Sequence, residues 1–428
     1  MTLSAQPYKG TRDYYPEDKW VQNYIFNTWQ TVVERFGYQE YGAPTLEPLD
    51  VYAAKSGQEL VNEQTYAFTD RGGRTVAIRP EMTPTISRMV AAKRQELSYP
   101  ARLYSIANFM RYERPQRGRE REFWQLNVDI FGVDSIQADA EIITMAASIM
   151  KEFRAKNEDY VIRVNNRKLI HFIMAQYLGL DEAQAQQMVK LFDRKDKITE
   201  QDFNEQASVI LESDEQLEKV QTLLGAQSID QLPDDIASSQ AAEELKTLFA
   251  QLQINGVDNT AIFDATLMRG LDYYTGTVFE VFDTHPENNR SLFGGGRYDG
   301  LVGLFGAEPI SAVGMAPGGT MMENFLTVRN LIPEYTPSTQ VSILVIDDAY
   351  DVANKVAKEL RDSGVNVDID FSGRKLDKQI KAADKKGIKN VIFIGPHDSD
   401  TSEYSFKQLG QEQEEKRTLR SIIDQLTR

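Results

Sequence analysis

The chain has 428 residues, of which 41% are hydrophobic and 26% charged, and its formal net charge is −16. Such a composition is typical of a folded globular protein with two or three domains. The absence of cysteine excludes disulfide scaffolds, thiolate zinc sites, iron–sulfur clusters and cysteine nucleophiles. The sequence has no apolar run long enough to cross a bilayer and no signal-peptide layout at its start, so we expect a cytoplasmic protein without a membrane segment. Its three histidines lie far apart in the sequence, so we also expect no protein-held metal.

The charge is unevenly distributed along the chain. Residues 181–248 hold 16 acidic against 6 basic residues, whereas residues 371–389 hold 7 basic against 2 acidic residues. An acidic protein is a poor general binder of nucleic acid, because phosphate binding needs a positive surface. A compact basic segment still allows nucleic acid to bind at that one place.

The first 160 residues predict an α+β domain built on an antiparallel sheet. A helix begins at Pro16, carries an apolar stripe at spacings of three and four, and stops at Gly37. Alternating polar and apolar residues then predict a hairpin over 65–80 and a second strand pair over 101–132. Another helix follows from Ser135 to about Arg154.

The rest of the chain predicts an interruption of this sheet and then a separate domain. We expect an acidic helical insertion at about 155–255, after which strand patterns return up to residue 319. These segments define a first domain over 1–330. Beyond the prolines near 335, strands over 341–346, 365–371 and 390–395 alternate with two helices, which indicates a small parallel α/β domain over 338–428.

Two segments carry chemistry that a generic loop would not need. The stretch from Arg111 to Phe123 contains five arginines, and a charge run of this kind is usually a solvated hairpin tip. Arg111 and Phe123 lie on the flanking strands, however, where an arginine can clamp phosphate and an aromatic ring can stack on a base. The pair therefore points to a nucleotide. The glycine run 294–296 offers close backbone approach to a ligand, but it does not open a helix as a dinucleotide fingerprint would.

Together these residues resemble the histidyl-tRNA synthetase family of class II aminoacyl-tRNA synthetases. The resemblance covers nearly the whole chain. It rests on Lys9–Asp13, the motif 1 stretch ending in Pro44, Arg79–Thr83, the motif 2 loop Arg111–Phe123, RGLDYYTG at 269–276, GGGRYDGL at 294–301 and the basic segment 372–388. The implied fold is a class II antiparallel sheet flanked by helices, with a helical insertion and a C-terminal α/β anticodon-binding domain.

The resemblance implies a reaction and a set of site residues. Histidine and ATP form histidyl-adenylate and pyrophosphate, and histidine is then transferred to the 3′ end of its tRNA. The implied catalytic residues are Arg111 and Arg269, and the implied histidine-binding residues are Glu81, Met82, Thr83, Gln125, Asp129, Arg269, Tyr273 and Tyr274. The implied ATP-binding residues are Arg111, Glu113, Arg119, Arg121, Phe123 and Arg297, with Mg²⁺ bound through the ATP phosphates.

The resemblance also implies macromolecular partners. Motif 1 implies a homodimer. A lysine-rich face is ordinarily just solvated, but in this family the basic C-terminal segment implies tRNA contact. The implied tRNA-binding residues are Arg114 and Gln116 on the motif 2 loop and Arg374, Lys378, Lys381 and Lys385 in the last domain.

One departure from the family pattern leaves alternatives open. Thr320 and Met321 stand where motif 3 usually carries Glu-Arg, whose arginine helps to hold ATP. Either another arginine compensates or ATP binds differently. Two further readings are a histidine-binding regulatory subunit and a sensor of uncharged tRNA, but regulatory paralogues generally lack the anticodon domain and degrade the RGLDYYTG signature, both of which this chain keeps.

Overall fold

The computed structural model describes residues 3–53, 60–114, 116, 118–195, 198–226, 228–268, 273–288, 290–411 and 413–427. The chain divides into two compact units, Met1–Ile332 and Pro333–Arg428. Within the described ranges, no helix combines the length and the apolarity that crossing a bilayer requires.

The first unit is built on one large sheet and one small one. Its described strands are β1 (Gln39–Glu40), β2 (Leu46–Pro48), β3 (Ala67–Thr69), β4 (Thr75–Ile78), β5 (Ala101–Met110), β6 (Glu122–Phe131), β7 (Tyr160–Asn166), β8 (Ala261–Phe263), β9 (Thr277–Asp283), β10 (Ser291–Arg297) and β11 (Ala312–Met315). The large sheet has the order β1-β5-β6-β11-β10-β9-β7-β8, and the small one has the order β2-β4-β3. All strand pairs of the large sheet are antiparallel except β1 with β5 and β7 with β8 at its two ends. The predicted antiparallel sheet is therefore confirmed.

Helices cover this sheet and form the insertion. They are α1 (Pro16–Arg35), α2 (Asp50–Ala53), α3 (Thr83–Ala92), α4 (Ile136–Glu152), α5 (Arg167–Phe172), α6 (Glu182–Phe192), α7 (Glu200–Ile210), α8 (Asp214–Gly225), α9 (Asp234–Ala237), α10 (Gln240–Ile254) and α11 (Gly319–Val328). The predicted bounds of the insertion, 155–255, are wrong at their start, because β7 lies inside them and pairs with β9 along its whole length. The helical part begins at Arg167.

The core of the first unit explains the first helix. Proline at the first helical position and acidic residues in the first turn suit a helix start, and Gly37 just beyond the helix has a left-handed φ of +83°. The apolar stripe is buried against the sheet, with Trp29 fully enclosed and Ile25 2% exposed. Truncating a buried aromatic of this size costs about 3–5 kcal/mol, so this stripe alone anchors α1.

The second unit has its own sheet and two apolar clusters. Its described strands are β12 (Val341–Val345), β13 (Val367–Asp370), β14 (Asn390–Ile394), β15 (Glu403–Gln408) and β16 (Glu414–Thr418), and its helices are α12 (Tyr350–Asp362), α13 (Leu376–Lys385) and α14 (Leu419–Leu426). The order is β13-β12-β14-β15-β16, in which the first three strands are parallel and the last two pairings are antiparallel. The sheet is therefore mixed, because β15 and β16 form an antiparallel extension that the sequence reading missed.

Candidate active site

One strand supplies a continuous row of candidate site residues. Side chains alternate between the two faces of a strand, so Phe123, Gln125, Asn127 and Asp129 of β6 project from the same face. The intervening Leu126, Val128 and Ile130 are fully buried in the main core on the other face. The apolar half of β6 thus fixes the strand against the helices and aims the polar half at two adjoining pockets.

The inner pocket is polar and largely enclosed. Its lining includes the carboxylates of Glu81 and Asp129, and the other lining residues are Thr83, Arg111, Gln125, Asn127, Tyr273, Tyr274, Tyr298, Gly314, Met315 and Ala316. Among these described residues Arg111 is the single cation. The buried carboxylate of Asp129, whose described partner is the neutral Tyr298 hydroxyl, favours a ligand that brings its own positive charge or N–H donors into the pocket.

Asp129 is a strongly perturbed carboxylate of the inner pocket. It is 4% exposed, and burial raises its pKa to about 7, although the hydrogen bond that it accepts from the Tyr298 hydroxyl opposes the shift. Perturbed acids of this kind concentrate at functional sites. At neutral pH the group sits near its midpoint, so a ligand that donates an N–H there would stabilise the charged form.

Tyrosine hydroxyls complete the polar wall of the inner pocket. The Tyr273 hydroxyl donates to Glu81 Oε2 at 3.1 Å, and its ring meets those of Tyr274 and Tyr298 edge-on with centroids 5.1 and 5.7 Å apart. Burial raises the pKa of all three phenols, so they remain protonated donors at physiological pH. The cluster therefore holds fixed hydroxyls beside the two carboxylates.

The glycine run has a different purpose from the one that the sequence suggested. Gly294, Gly295 and Gly296 lie within β10, between β9 and β11. A Cβ at Gly295 would come within 2.2 Å of the Gly314 carbonyl oxygen, and a Cβ at Gly314 would come within 2.2 Å of Asp129 Oδ1. The glycines therefore let neighbouring strands and the Asp129 side chain approach closely. This packing role corrects the prediction that the glycine run contacts a ligand.

The outer pocket adjoins the inner one and has a different character. Its lining includes the aromatic rings of Phe123 and Phe293 and the charged residues Arg111, Glu113, Arg119 and Glu120, together with Gly118, Gln125, Leu292, Ala316, Gly318, Gly319, Thr320 and Met321. Arg111, Gln125 and Ala316 line both pockets. A ligand that spanned the two chambers would have its junction beside Arg111.

Arg111 is held in place from two sides. Its Nε donates to the Pro80 carbonyl oxygen at 2.9 Å, and its guanidinium carbon lies 5.3 Å from the Phe123 ring centroid. Phe123 in turn stacks on Phe109 across the strand pair, with centroids 5.7 Å apart. The guanidinium is thus oriented by a backbone carbonyl and an aromatic face.

The segment that carries Thr320 and Met321 reaches the outer pocket. Both residues lie in the first turn of α11 and line the pocket, and the Thr320 hydroxyl donates to Glu120 Oε2 at 3.2 Å. The loop before α11 is tied to β6, because Gln125 Nε2 donates to the Ala316 carbonyl at 3.2 Å. The second arginine in the described lining is Arg119, whose Nη1 lies 3.2 Å from Glu113 Oε2.

Three predicted site residues lie away from the pockets. Arg297 is 8% exposed; its Nε lies 3.2 Å from both Asp139 oxygens, and its other nitrogens donate to the backbone carbonyls of Val133 and Ser135. This arginine is a structural clamp between β10 and α4, so its assignment to ATP is corrected.

Arg121 and Met82 are corrected for similar reasons. Arg121 points to the N-terminal segment, where its Nη1 donates to the Tyr8 hydroxyl at 3.0 Å and its guanidinium packs 4.0 Å from the Tyr112 ring centroid. The Met82 side chain is 1% exposed and packs with Ala107 and Phe109 in an apolar cluster. Arg121 stands just before β6 and is held away from the pockets by these contacts, whereas Met82, at the cap position before α3, turns its side chain into the apolar cluster.

Arg269, the other predicted catalytic residue, lies outside the described residues, as do residues 270–272. The segment just before it is well anchored. Asn165 Nδ2 donates to the Leu267 carbonyl at 3.1 Å, and Arg167 Nη1 donates to the Met268 carbonyl at 3.0 Å. The end of β7 and the start of α5 therefore hold the chain that leads into the RGLDYYTG signature.

The structure also adds residues that the sequence reading did not assign. Asn127 and Tyr298 line the inner pocket, and Glu120 and Phe293 line the outer one. Asn127 could have been found from the alternation of β6, since it stands between Gln125 and Asp129. Tyr298 and Phe293 become part of the pockets only through the pairing of β10 with its neighbours, for which the sequence has no local signal, whereas Glu120 stands next to Arg119 on the motif 2 loop.

The predicted tRNA-binding residues are exposed where they are described. Arg114 and Gln116 lie on the motif 2 loop, and Arg374 precedes α13 in the second unit. Lys378, Lys381 and Lys385 are exposed along α13, at helical spacings that place them on one face. Arg374 Nη2 lies 3.2 Å from Asp370 Oδ2, which fixes this arginine at the end of β13.

The antiparallel sheet, its flanking helices and the paired pockets on β6 define a class II aminoacyl-tRNA synthetase architecture. A carboxylate-rich chamber joined to an arginine- and aromatic-lined chamber suits an amino acid placed beside a nucleotide. A separate α/β unit follows it in the chain.

Comparisons with known proteins give the particular family. Residues 10–318 match the family model described as Histidyl-tRNA synthetase, and residues 340–428 match the one described as Anticodon binding domain. The chain therefore belongs to the histidyl-tRNA synthetase family.

Individual relatives agree with this family over nearly the whole chain. The histidine–tRNA ligase of Leptospira biflexa is 41% identical over 411 residues, which cover 95% of this chain and 94% of the relative. That of Haloarcula marismortui is 36% identical over 409 residues, with 94% and 93% covered. The crystal structure of histidyl-tRNA synthetase from Nostoc sp. PCC 7120 aligns with a TM-score of 0.84 at 26% identity and covers 100% of this chain and 99% of that one.

Proposed function

We propose that this chain is a histidine–tRNA ligase that activates histidine in the inner pocket with ATP bound in the outer pocket. Relatives of that name, 36–41% identical over most of the chain, support this activity. The observation that carries the assignment of the two pockets is their junction at Arg111. The bond between the amino acid and the nucleotide must form where the two substrates meet.

The inner pocket offers a partner for each polar group of histidine. Glu81, Thr83 and Gln125 would accept the α-ammonium, while Asp129 and Tyr274, with Tyr273 beside it, would read the ring nitrogens. A site that hydrogen-bonds both nitrogens can reject analogues lacking them by about 10⁴-fold or more, because its own polar groups would be left unpaired. The buried carboxylate of Asp129, whose described hydrogen-bond partner is the Tyr298 hydroxyl, makes this rejection strong.

Activation needs charge stabilisation and no general base. One carboxylate oxygen of histidine attacks the α-phosphorus, the bond from that phosphorus to the bridging oxygen of the β-phosphate breaks, and pyrophosphate leaves with the electron pair. The attacking carboxylate is already ionised. Arg111, and Arg269 by resemblance, would face the negative charge that grows on the α-phosphate. Catalysis is then mainly positioning and electrostatics.

The outer pocket suits the nucleotide and its outer phosphates. Phe123 provides the stacking face for adenine, and Glu113 lies nearby. Arg119 is the other cation besides Arg111 in the described lining and can replace the missing motif 3 arginine, since it lines the same pocket as Thr320 and Met321. Mg²⁺ commonly binds through substrate phosphates with one or two carboxylates, and Glu113 and Glu120 fit that role; the ion would neutralise phosphate charge.

The proposed partners extend to tRNA and a second copy of the chain. Arg114 and Gln116 would approach the acceptor end of the tRNA. The anticodon-binding domain would span residues 338–428, and its residues Arg374, Lys378, Lys381 and Lys385 would contact phosphates of the tRNA. The motif 1 stretch ending in Pro44 would contribute to a homodimer. Light scattering tests the dimer, because a monomer that charges tRNA at full rate would contradict it.

Histidine-dependent exchange of pyrophosphate into ATP, measured together with charging of histidine tRNA, tests the function. We expect both activities. Histidine binding without exchange would instead indicate the regulatory subunit, and tRNA binding without either activity would indicate the sensor. The retained anticodon domain favours the ligase over the regulatory subunit, and the pair of adjoining pockets favours it over the sensor.

A further inference from the structure

The second unit displays one large hydrophobic side chain to solvent. Phe371 is 61% exposed, and among the described residues of this unit no other large hydrophobic residue is as open. It directly follows β13, at the edge of the sheet where the parallel strands β12, β13 and β14 all end. Ligands of parallel α/β sheets bind at this carboxyl edge.

The loop that carries Phe371 is fixed in place. The ring lies at a 34° tilt to that of Tyr350, with centroids 5.8 Å apart. Beyond it, Arg374 Nε donates to Ser372 Oγ at 2.7 Å. The buried Gln379 then donates to the carbonyls of Arg374 and Val345 at 2.7 and 2.8 Å. A single exposed hydrophobic residue needs no explanation by itself, but an aromatic ring on a loop braced by a buried amide is a preorganised surface.

The charges around this ring distinguish its two sides. Arg374, Lys375 and Lys378 follow it within seven residues and are all exposed. On the turn after β12, Asp347 and Asp348 take left-handed φ values of 48° and 59°, a backbone conformation that is costly and concentrates at functional sites. Phosphates would therefore be accepted on the α13 side of the ring and repelled on the β12 side.

We propose that Phe371 stacks on one of the three anticodon bases of the tRNA, while Arg374 and Lys378 hold the adjoining phosphates. An exposed aromatic beside a basic track is the usual platform for single-stranded nucleic acid, and bases splayed from a loop are available for stacking. The family model matched by residues 340–428, Anticodon binding domain, selects tRNA as the occupant. The inference rests on the proposed function and adds to it a base-stacking residue.

Three substitutions in the full chain test the stacking. Phe371→Tyr keeps the aromatic face, Phe371→Leu keeps an apolar group, and Phe371→Ala removes both. Stacking on an aromatic ring is worth about 1–3 kcal/mol per base, so kcat/KM for tRNA in the charging reaction should fall about 5–150-fold in Phe371→Ala. Phe371→Leu should also lower kcat/KM substantially, whereas Phe371→Tyr should change it little. Histidine-dependent pyrophosphate exchange, which needs no tRNA, should be unchanged. Ile262→Ala, at a 45% exposed residue of β8, is a control for the loss of exposed apolar surface.

A cycle with altered RNA identifies the stacked base. Transcripts lacking one base at each anticodon position in turn are charged by the wild-type chain and by Phe371→Ala. At one position the two losses should fail to add, because both remove the same contact. Full additivity at all three positions, tRNA charging within twofold of wild type in Phe371→Ala, or parallel loss of exchange and charging would overturn the proposal. Absence of exchange in the wild-type chain would instead refute the proposed function.

Discussion

The two chambers on β6 solve different recognition problems with different physical means. The inner pocket is buried and lined by two carboxylates and three tyrosines, whereas the outer pocket is open and lined by aromatic rings, arginines and glycine-rich backbone. Selectivity for one small amino acid needs desolvated groups that are costly to leave unpaired. Binding of a polyphosphate nucleotide needs a stacking face and accessible positive charge. Arg111 belongs to both chambers, so it should matter to chemistry more than to either binding step.

The largest effect is therefore expected at the junction. Arg111→Ala removes a preorganised charge from the reacting phosphate and should lower kcat for exchange by about 10²–10³-fold, and the family position of Arg269 predicts the same for Arg269→Ala. Steady-state exchange kinetics with both substrates varied would check this. Arg119→Ala is the matched control, because its effect should fall mainly on KM for ATP. A fall of less than tenfold in kcat would show that Arg111 is not at the reacting centre.

The buried carboxylate of Asp129 in the inner pocket should lower the free energy of unfolding. Folding raises the pKa of the Asp129 carboxyl from about 3.8 to about 7. The protonated carboxyl therefore favours the folded state, and this contribution is fully present below pH 3.8. It is lost as the pH rises through the folded pKa of about 7. Asp129→Asn removes the buried charge and should raise the free energy of unfolding by about 2–4 kcal/mol at pH 8 without histidine, and by much less at pH 4. Denaturant unfolding at the two pH values checks this. An equal gain at both would assign the effect to packing.

Because Asp129 lies close to β11, two glycines should differ in how much stability is lost when each is replaced by alanine. A Cβ at Gly314 would collide with Asp129 Oδ1, so Gly314→Ala should destabilise the fold by about 1–3 kcal/mol and raise KM for histidine. Gly300→Ala has open space around its new methyl group and should be nearly neutral. Thermal unfolding of the two variants side by side measures the difference. Equal melting temperatures would mean that the strand pair relaxes freely.

The smallest effect concerns a region outside both chambers. Replacing Lys378, Lys381 and Lys385 by alanine removes exposed charges from α13 and should weaken tRNA binding while lowering the salt slope of binding by about one unit or slightly less per lost phosphate contact. Pyrophosphate exchange should not change. Binding titrations at several salt concentrations check the slope. A joint decline of exchange and charging would show that these lysines support the fold rather than the RNA.

The fold was readable from the sequence where local patterns dominate. The stripe of α1, the hairpins and the alternation of β6 are periodic over many residues, and each was predicted with the correct type. β7 was absorbed into the predicted insertion, and β15 and β16 were missed. β7 runs directly into the helical module at Arg167, while β16 is polar and exposed over four of its five residues. Burial patterns of this kind are set by neighbouring strands rather than by the segment itself.

The site was readable only in part for the same reason. Phe123, Gln125 and Asp129 follow from one strand, and the family resemblance added the residues of other segments. The resemblance could not show that Arg297 forms a buried ion pair with Asp139, or that the glycine run allows close strand packing. Both features depend on where β10 lies against its neighbours. A charged residue beside a motif therefore predicts a ligand contact only when it has no buried, oppositely charged partner within the protein.

The division of labour between the chambers is tested most directly by crossed kinetics of pyrophosphate exchange. Asp129→Ala removes an acceptor from the inner pocket, and Phe123→Ala removes the stacking face from the outer one. Asp129→Ala should raise KM for histidine about 10–100-fold and leave KM for ATP within a few-fold of wild type. Phe123→Ala should do the reverse, raising KM for ATP about tenfold or more. Equal rises of both constants in both variants would contradict the assignment of separate chambers to the two substrates.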